Sequence, residues 1–397
     1  MSSAAGLSEA DSGNFRPFGG PPDEPVPLVW PTRLLRGASW AGLVYLDLNH
    51  WIGLADAAAG RKPGDRYQEA LASCRVAQHD GSVVFPLSAV HYMEIAKIVD
   101  PTRRANLATI MEELSGFTTL TSRTVIMRLE IESVLERELN VTPNLEPAVR
   151  LLGWGAQHSV LGVEGGVQIV DDAGNDATAL ARRRVGALAL DELLSNARLM
   201  LERGLLSGPR DEAEVAKLRA TGWQPDAAVK VAQERADRET ELVGILHADP
   251  RWRKGRLRDV ISAREVVYEI WDALTECLLA KGMSKLNWLN DRQRIRTFVR
   301  SMPSAEVVIE MKTARHRNPS STWDTNTIFD IDAMGLAVPY CDAVVTERYA
   351  CSVLQRAELG ERMNTALMRS PQELVDWLSN RDLPLPGRRS QARRTGS

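Results

Sequence analysis

The sequence predicts an α/β fold: a parallel sheet flanked by helices and interrupted by a large, mainly α-helical insertion. Three observations predict it. Apolar runs of strand length stand at 43–46, 83–85 and 343–345. Helix-like stretches surround them, and parallel strands need such crossovers. Residues 123–303 read almost wholly as helix, being dominated by Ala, Leu, Glu and Arg.

In chain order, residues 1–40 form a disordered, Pro-rich tail with six prolines between Pro17 and Pro31. Trp30 and Leu34-Leu35 pack the end of it onto the body. Residues 41–122 form the first part of the α/β unit. Leu43-Val44-Tyr45-Leu46 is a buried strand that ends in a carboxylate, Asp47, and 49–59 is helical in composition. Val83-Val84-Phe85 is the second strand, closed by Pro86. Ser88 fits the N-cap of a helix running to about 99. Pro101 stops that helix, and Thr102 starts another to about 114.

The middle, 123–303, carries helical stretches at 125–139, 176–206, 211–220, 227–246, 260–280 and 291–300; only 163–170 hints at a strand. Its composition predicts that it packs as one body beside the sheet. Residues 304–380 return to the α/β unit, with Ala343-Val344-Val345 as the last strand. From 381 onward, Pro384, Pro386, Arg388, Arg389, Arg393 and Arg394 make a basic, disordered tail.

The 397 residues hold 49 Lys and Arg against 52 Asp and Glu, a net charge of −3. This excludes a globally basic nucleic-acid coat but not a local basic face. No run of about 18 apolar residues suggests a membrane span, and the N-terminus shows no basic start followed by an apolar core. Cys74, Cys277, Cys341 and Cys351 are widely spaced and form no CxxC pair, so they read as reduced thiols of a cytoplasmic protein. Neither GxxxxGK[ST], GxGxxG nor GxSxG occurs, which leaves nucleotide-fuelled and serine-nucleophile chemistry without support.

Acids stand where a parallel sheet gathers its ligands, beyond the carboxyl ends of the strands. Asp47 ends the first strand. Glu94 follows the second, in Pro86-Leu87-Ser88-Ala89-Val90-His91-Tyr92-Met93-Glu94. Asp330 and Asp332 stand at the start of an apolar helix, and Asp342 and Glu347 flank the last strand. Clustered carboxylates repel and need cations; oxygen ligands with few His or Cys suit Mg²⁺ or Mn²⁺. Such ions acidify water and stabilise an in-line phosphodiester displacement. Other roles suit the same residues: Asp47 as a helix cap, Glu94 in a salt bridge, Asp342 and Glu347 as solvated loop acids. His50 and His91 sit beside the acids and line or brace them.

The order of these motifs resembles the PIN-domain family of metal-dependent nucleases, many of them ribonucleases. Leu46-Asp47-Leu48-Asn49 matches the family's strand–Asp–x–Asn opening. Pro86 to Glu94 matches its Ser/Thr-led helix carrying Glu, and Asp330 with Ala333 and Ala337 its Asp-led apolar helix. Val344-Val345-Thr346-Glu347 resembles the final strand, but Arg348 stands where the family usually has Asp, so either Glu347 or Asp342 completes the set. The match spans 41–122 and 304–380, roughly two fifths of the chain.

The resemblance implies a PIN-like sheet and an RNA-cleaving site, with Asp47, Glu94 and Asp330 catalytic. It implies Mg²⁺ or Mn²⁺ held by these three with Asp332, Asp342 or Glu347. RNA is the implied substrate, with single-stranded DNA as the alternative, and no membrane is involved. A homodimer or a regulatory protein partner is compatible with it. A non-catalytic binding or regulatory protein on the same scaffold, a toxin or defence component included, is the alternative.

Basic residues cluster locally. Arg182-Arg183-Arg184 lies in a helix. The densest run, 251–258, interleaves Trp252 with five basic residues, and Arg292, Arg294, Arg296 and Arg300 add a third cluster. Stacking plus phosphate contact, or a solvated face, accounts equally for such runs. His316, between Arg315 and Arg317, suggests a phosphate-contacting turn or a solvated loop. Trp154, Trp223, Trp271 and Trp288 suit packing within the helical middle.

Overall fold

The computed structural model describes residues 26–37, 41–140, 146–220, 225–283 and 292–380. Trp223, Trp288 and the basic tail from 381 lie outside the described residues. The strands are β1 (Leu34–Leu35), β2 (Gly42–Leu46), β3 (Val83–Val84), β4 (Thr118–Leu120), β5 (Val149–Arg150), β6 (Leu152–Trp154), β7 (Ala343–Val345) and β8 (Ala366–Met368). The helices up to the middle of the chain are α1 (Leu48–Ala58), α2 (Gln68–His79), α3 (Ala89–Ile95), α4 (Pro101–Ser115), α5 (Arg123–Leu139) and α6 (Gly155–Leu161). Then follow α7 (Thr178–Val185), α8 (Ala187–Ser207), α9 (Glu212–Ala220), α10 (Pro225–Ala248), α11 (Leu257–Glu265) and α12 (Trp271–Ala280). The last are α13 (Arg292–Ser301), α14 (Pro303–Arg317), α15 (Thr325–Tyr340), α16 (Arg348–Arg356), α17 (Leu359–Met363) and α18 (Pro371–Ser379).

The chain is a mixed α/β protein with parallel strands flanked by helices. The main sheet has the order β3-β2-β7-β8, all parallel. The register pairs Val44 with Ala343, Tyr45 with Val344 and Leu46 with Val345. The first and last expected strands are therefore neighbours despite their distance in sequence. β2 is buried along its whole length, which is why it reads as an unbroken apolar run rather than an alternating one.

Alternate side chains still face opposite cores, as the pleat requires. Leu43, Tyr45 and Val344 join α14, α15 and α16 on one face. Val44, Leu46, Ala343 and Val345 join α1, α2, α4 and α18 on the other. Each large apolar side chain fully buried here, such as Trp51 or Leu54, contributes roughly 1.5–3 kcal/mol.

The middle of the chain is mainly helical but does not pack as one body. α8 lays Leu199 and Leu206 into the core beneath α1 and α4. The first half of α10 gives Ala232 and Ala236 to the core around α15. Its second half gives Leu242 and Leu246 to a third core built with α5, α11, α12, α13 and α14. The helix expected over 176–206 breaks at Gly186, whose φ of +87° suits glycine. The one over 260–280 is interrupted by a π turn at Val266–Ile270. In place of a strand at 163–170 there is one bridge between Val170 and Asp176. α3 stops at Ile95, short of 99.

Part of the expected tail is packed. The Val29 N–H donates to Ser301 O at 2.8 Å, and Trp30 meets Tyr340 edge-on, centroids 5.8 Å apart. All four cysteines are buried free thiols. No helix among the described residues is long and apolar enough to cross a membrane.

Candidate active site

β2 and β7 end side by side, and their carboxyl ends carry the first two acids. The Asp47 N–H donates to Val345 O at 2.9 Å, continuing the parallel ladder by one bond. Asp47 then caps α1: Oδ1 accepts the Leu48 N–H at 2.7 Å. Its second oxygen accepts the Thr346 hydroxyl at 3.2 Å. Thr346 is fixed in turn by its N–H, which donates to Met368 O at 2.9 Å. Glu347 follows as the residue that opens α16, and the Asn49 amide donates to its Oε1. Capping and ligation are thus compatible roles for Asp47, since one oxygen serves each neighbour and carboxylates keep spare lone pairs.

Glu94 comes from α3. Ser88 caps that helix in extended backbone, and its N–H donates to His91 Nδ1 at 3.0 Å. The other ring nitrogen, Nε2, therefore carries the proton and donates to Leu46 O at 2.9 Å, tying α3 to the end of β2. His50 Nε2 faces Thr346 O at 3.4 Å, and Nδ1 faces the Tyr67 hydroxyl at 3.2 Å. Burial lowers both histidines to about 4. They are neutral braces with both nitrogens engaged, and neither is free to bind a metal.

Asp330 comes from the second turn of α15. The helix begins earlier than the sequence suggests, because Asp324 caps it by accepting the Thr327 N–H at 2.8 Å.

The four acids lie within electrostatic reach of one another. Burial, then Glu347, lifts Asp47 to about 6. Burial, then Asp330, Asp47 and Glu347, lifts Glu94 to about 8. Burial, then Asp47 and Glu347, lifts Asp330 to about 7. The Glu347 carboxylate contributes to all three shifts. Among the described residues, however, no three His, Cys, Asp or Glu side chains are placed to hold a metal ion together. The carboxylates lie within range of one another's charge without closing on one point, as repelling like charges do. Their donor set is all oxygen and electron-rich, which fits a hard divalent cation rather than a soft one.

Two other proposed ligands lie elsewhere. Asp332 is two residues from Asp330 and points off another side of α15, since successive residues turn 100°. Its oxygens meet Arg235 at 2.5 and 2.8 Å and Arg123 at 3.4 Å. Burial alone raises its pKa, but the two guanidinium groups hold it at about 2. Asp342 sits at the opposite end of β7, where it accepts the Leu43 N–H at 2.9 Å and pairs with Arg36. Glu347, not Asp342, is the acid beside Asp47.

His316 lies in neither a phosphate-contacting turn nor a solvated loop. It is buried, 2.9 Å from Glu239, and tilts against Trp323 rather than facing a phosphate. Much of the basic run 251–258 is spoken for. Arg251 pairs with Asp249, Arg253 donates to Leu246 O, and Arg258 pairs with Glu306 and Glu310. Trp154 stacks under Arg198 at 4.3 Å and meets Phe117, a packing role.

Two cations border the acids and escaped sequence reasoning. Lys97 lies close enough to lower the pKa of Glu94; its ammonium donates to Asn326 at 2.8 Å and stands 4.2 Å from the Phe329 ring. Its place three residues after Glu94 was the available signal. Arg315 lowers the pKa of Asp330. No protein-family model, curated protein or solved structure matches this chain.

Proposed function

We propose that this chain is a PIN-like, metal-dependent nuclease that hydrolyses RNA, with the helical segment 123–303 as an insertion that shapes access to the site. The observation that carries the proposal is the mutual coupling of Asp47, Glu94, Asp330 and Glu347 at the carboxyl ends of β2 and β7. Three buried acids driven toward protonation, with the Glu347 carboxylate beside them, are costly unless a cation uses them. Asp47, Glu94, Asp330 and Glu347 would hold Mg²⁺ or Mn²⁺; such an ion supplies Lewis acidity to a phosphate and acidifies a water for in-line attack.

The chain's own residues do the rest. Thr346 and the Leu48 N–H orient Asp47, and Asn49 orients Glu347. Lys97 and Arg315 offer positive charge to phosphate oxygens at the rim. RNA rather than single-stranded DNA follows from the family resemblance.

A second reading, a non-catalytic regulatory protein on the same scaffold, draws on the absence of a closed three-ligand set among the described residues. Melting curves with and without Mn²⁺ separate the two. A binding site raises the melting temperature by mass action. Asp47→Asn should shrink that rise while the metal-free fold survives, because it also removes repulsion. An unchanged melting temperature in Mn²⁺ would favour the scaffold reading.

A further inference from the structure

A groove of about 390 Å³ opens between the end of α14 and the outer face of α16. It begins at Tyr349, two residues past Glu347. Ala314, Val353 and Ala357 give it an apolar lining and Arg317 and Arg356 a basic one, while Asn318 and Glu310, the latter paired with Arg258, complete it. Tyr349 leaves 48% of its surface exposed beside that apolar lining. An exposed aromatic ring beside an apolar lining is an unsatisfied surface.

The two guanidinium groups are only loosely engaged. Arg317 is 63% exposed, and its nearest carboxylate, Glu310, is 3.8 Å away and already held by Arg258 at 2.5 Å. Arg356 donates to the Ser352 carbonyl of its own helix and has no ion pair among the described residues. The same last turn of α14 carries Arg315, which acts on Asp330. Arg315 donates to Thr322 O, and the last turn of α14 sets one cation toward the acids and another, Arg317, at the groove.

We infer that this groove holds the single-stranded RNA flanking the cut phosphate: Tyr349 stacks a base, and Arg317 and Arg356 contact phosphates. An aromatic platform between cations is the general device for single strands, because an unpaired base can lie flat on a ring and a paired one cannot. The choice of RNA rests on the nuclease reading above; the groove and its chemistry do not.

The test uses the full chain and a fluorescein-labelled single-stranded oligouridylate in EDTA, followed by anisotropy, with cleavage in Mn²⁺ measured separately. Tyr349→Ala should weaken binding about tenfold, and Tyr349→Phe should restore it. Arg317→Ala with Arg356→Ala should weaken binding and flatten its salt dependence by roughly 0.7 per lost phosphate contact, while the double Lys variant keeps the slope. Unchanged melting temperatures certify the folds, as all three side chains are exposed.

Equal affinity in the Ala variants overturns the groove, as does no binding by the wild type. So does displacement of the RNA by polyglutamate with no effect of Tyr349→Ala, which points to an acidic protein partner. Groove-dependent binding without Mn²⁺-dependent cleavage sinks the nuclease reading and leaves the groove standing. Cleavage with an unchanged KM in the Ala variants does the reverse.

Discussion

Asp330 and Asp332 are two residues apart on α15 and have opposite chemistry. Asp330 is lifted to about 7 by burial and its acidic neighbours, while Arg123 and Arg235 hold Asp332 at about 2. Asp332→Ala removes a carboxylate that two largely buried guanidinium groups share, leaving them Glu265 and Glu269; breaking such a buried pair costs up to about 3 kcal/mol. Asp330→Asn should leave metal-free stability equal or higher. Urea denaturation of both variants checks the contrast; equal losses would refute it.

The sequence places both residues on the right helix. It cannot say which side of α15 faces the acids, because Arg123 and Arg235 reach Asp332 from 209 and 97 positions away. Lys97 and Arg315 were hidden for the same reason: a charged residue gains its meaning from neighbours brought by the fold.

The same pKa values set a pH dependence. Asp47, Glu94 and Asp330 bind protons more tightly folded than unfolded, where carboxyl groups titrate near roughly 4. Their contribution to stability is therefore full below about pH 4 and is lost as pH rises through about 6, 7 and 8. Asp332 and Glu239, both held at about 2, contribute with the opposite sign, above about pH 4, and lose it on acidification. His50 and His91, held at about 4, add stability as pH rises toward about 6.5; above that range, in EDTA, stability should decline from about pH 7 to 8, and Asp330→Asn should flatten that decline. A rise over the same interval would contradict the coupling of the acids.

At the scale of elements, the site depends on how closely α15 lies on α14. Gly335 permits this: a Cβ there would stand 2.7 Å from Val308 Cγ2 on α14, and a β-branched side chain has little room to turn. Gly335→Ala gains up to about 1 kcal/mol of helix propensity but overpacks the contact, at about 1–3 kcal/mol. A net loss of roughly 1 kcal/mol in chemical denaturation is expected, along with weaker Mn²⁺ stabilisation as α15 shifts. A stabilised Gly335→Ala with full metal response would show that the contact yields freely.

Elements with strong local signals were legible: β2 as an apolar run, Ser88 as a helix cap, a helix start read at Thr102 and found one residue earlier at Pro101, and most helices of the middle. Two- and three-residue strands such as β1, β5 and β8 carry too few residues to show a period. The π turn at Val266–Ile270 keeps the apolar content of a helix while changing its winding, so composition alone runs through it. The middle failed as one body because α10 is apolar toward different partners along its length, which no local window reveals.

For the molecule as a whole, the defining contact is the register of β2 on β7, Leu46 against Val345. It sets Asp47 and Glu347 at adjacent strand ends, within charge range of Glu94 from α3 and Asp330 from α15. On the nuclease reading proposed above, these acids hold a divalent ion for RNA hydrolysis. That reading is tested most directly by a time course of single-stranded RNA cleavage in Mn²⁺ and in EDTA, with wild type and Asp330→Asn. Cleavage by the wild type in Mn²⁺ only is expected, with a fall of at least about a hundredfold in Asp330→Asn, equivalent to roughly 2.7 kcal/mol of barrier. Cleavage that persists in EDTA, or that Asp330→Asn performs as fast as the wild type, would contradict it.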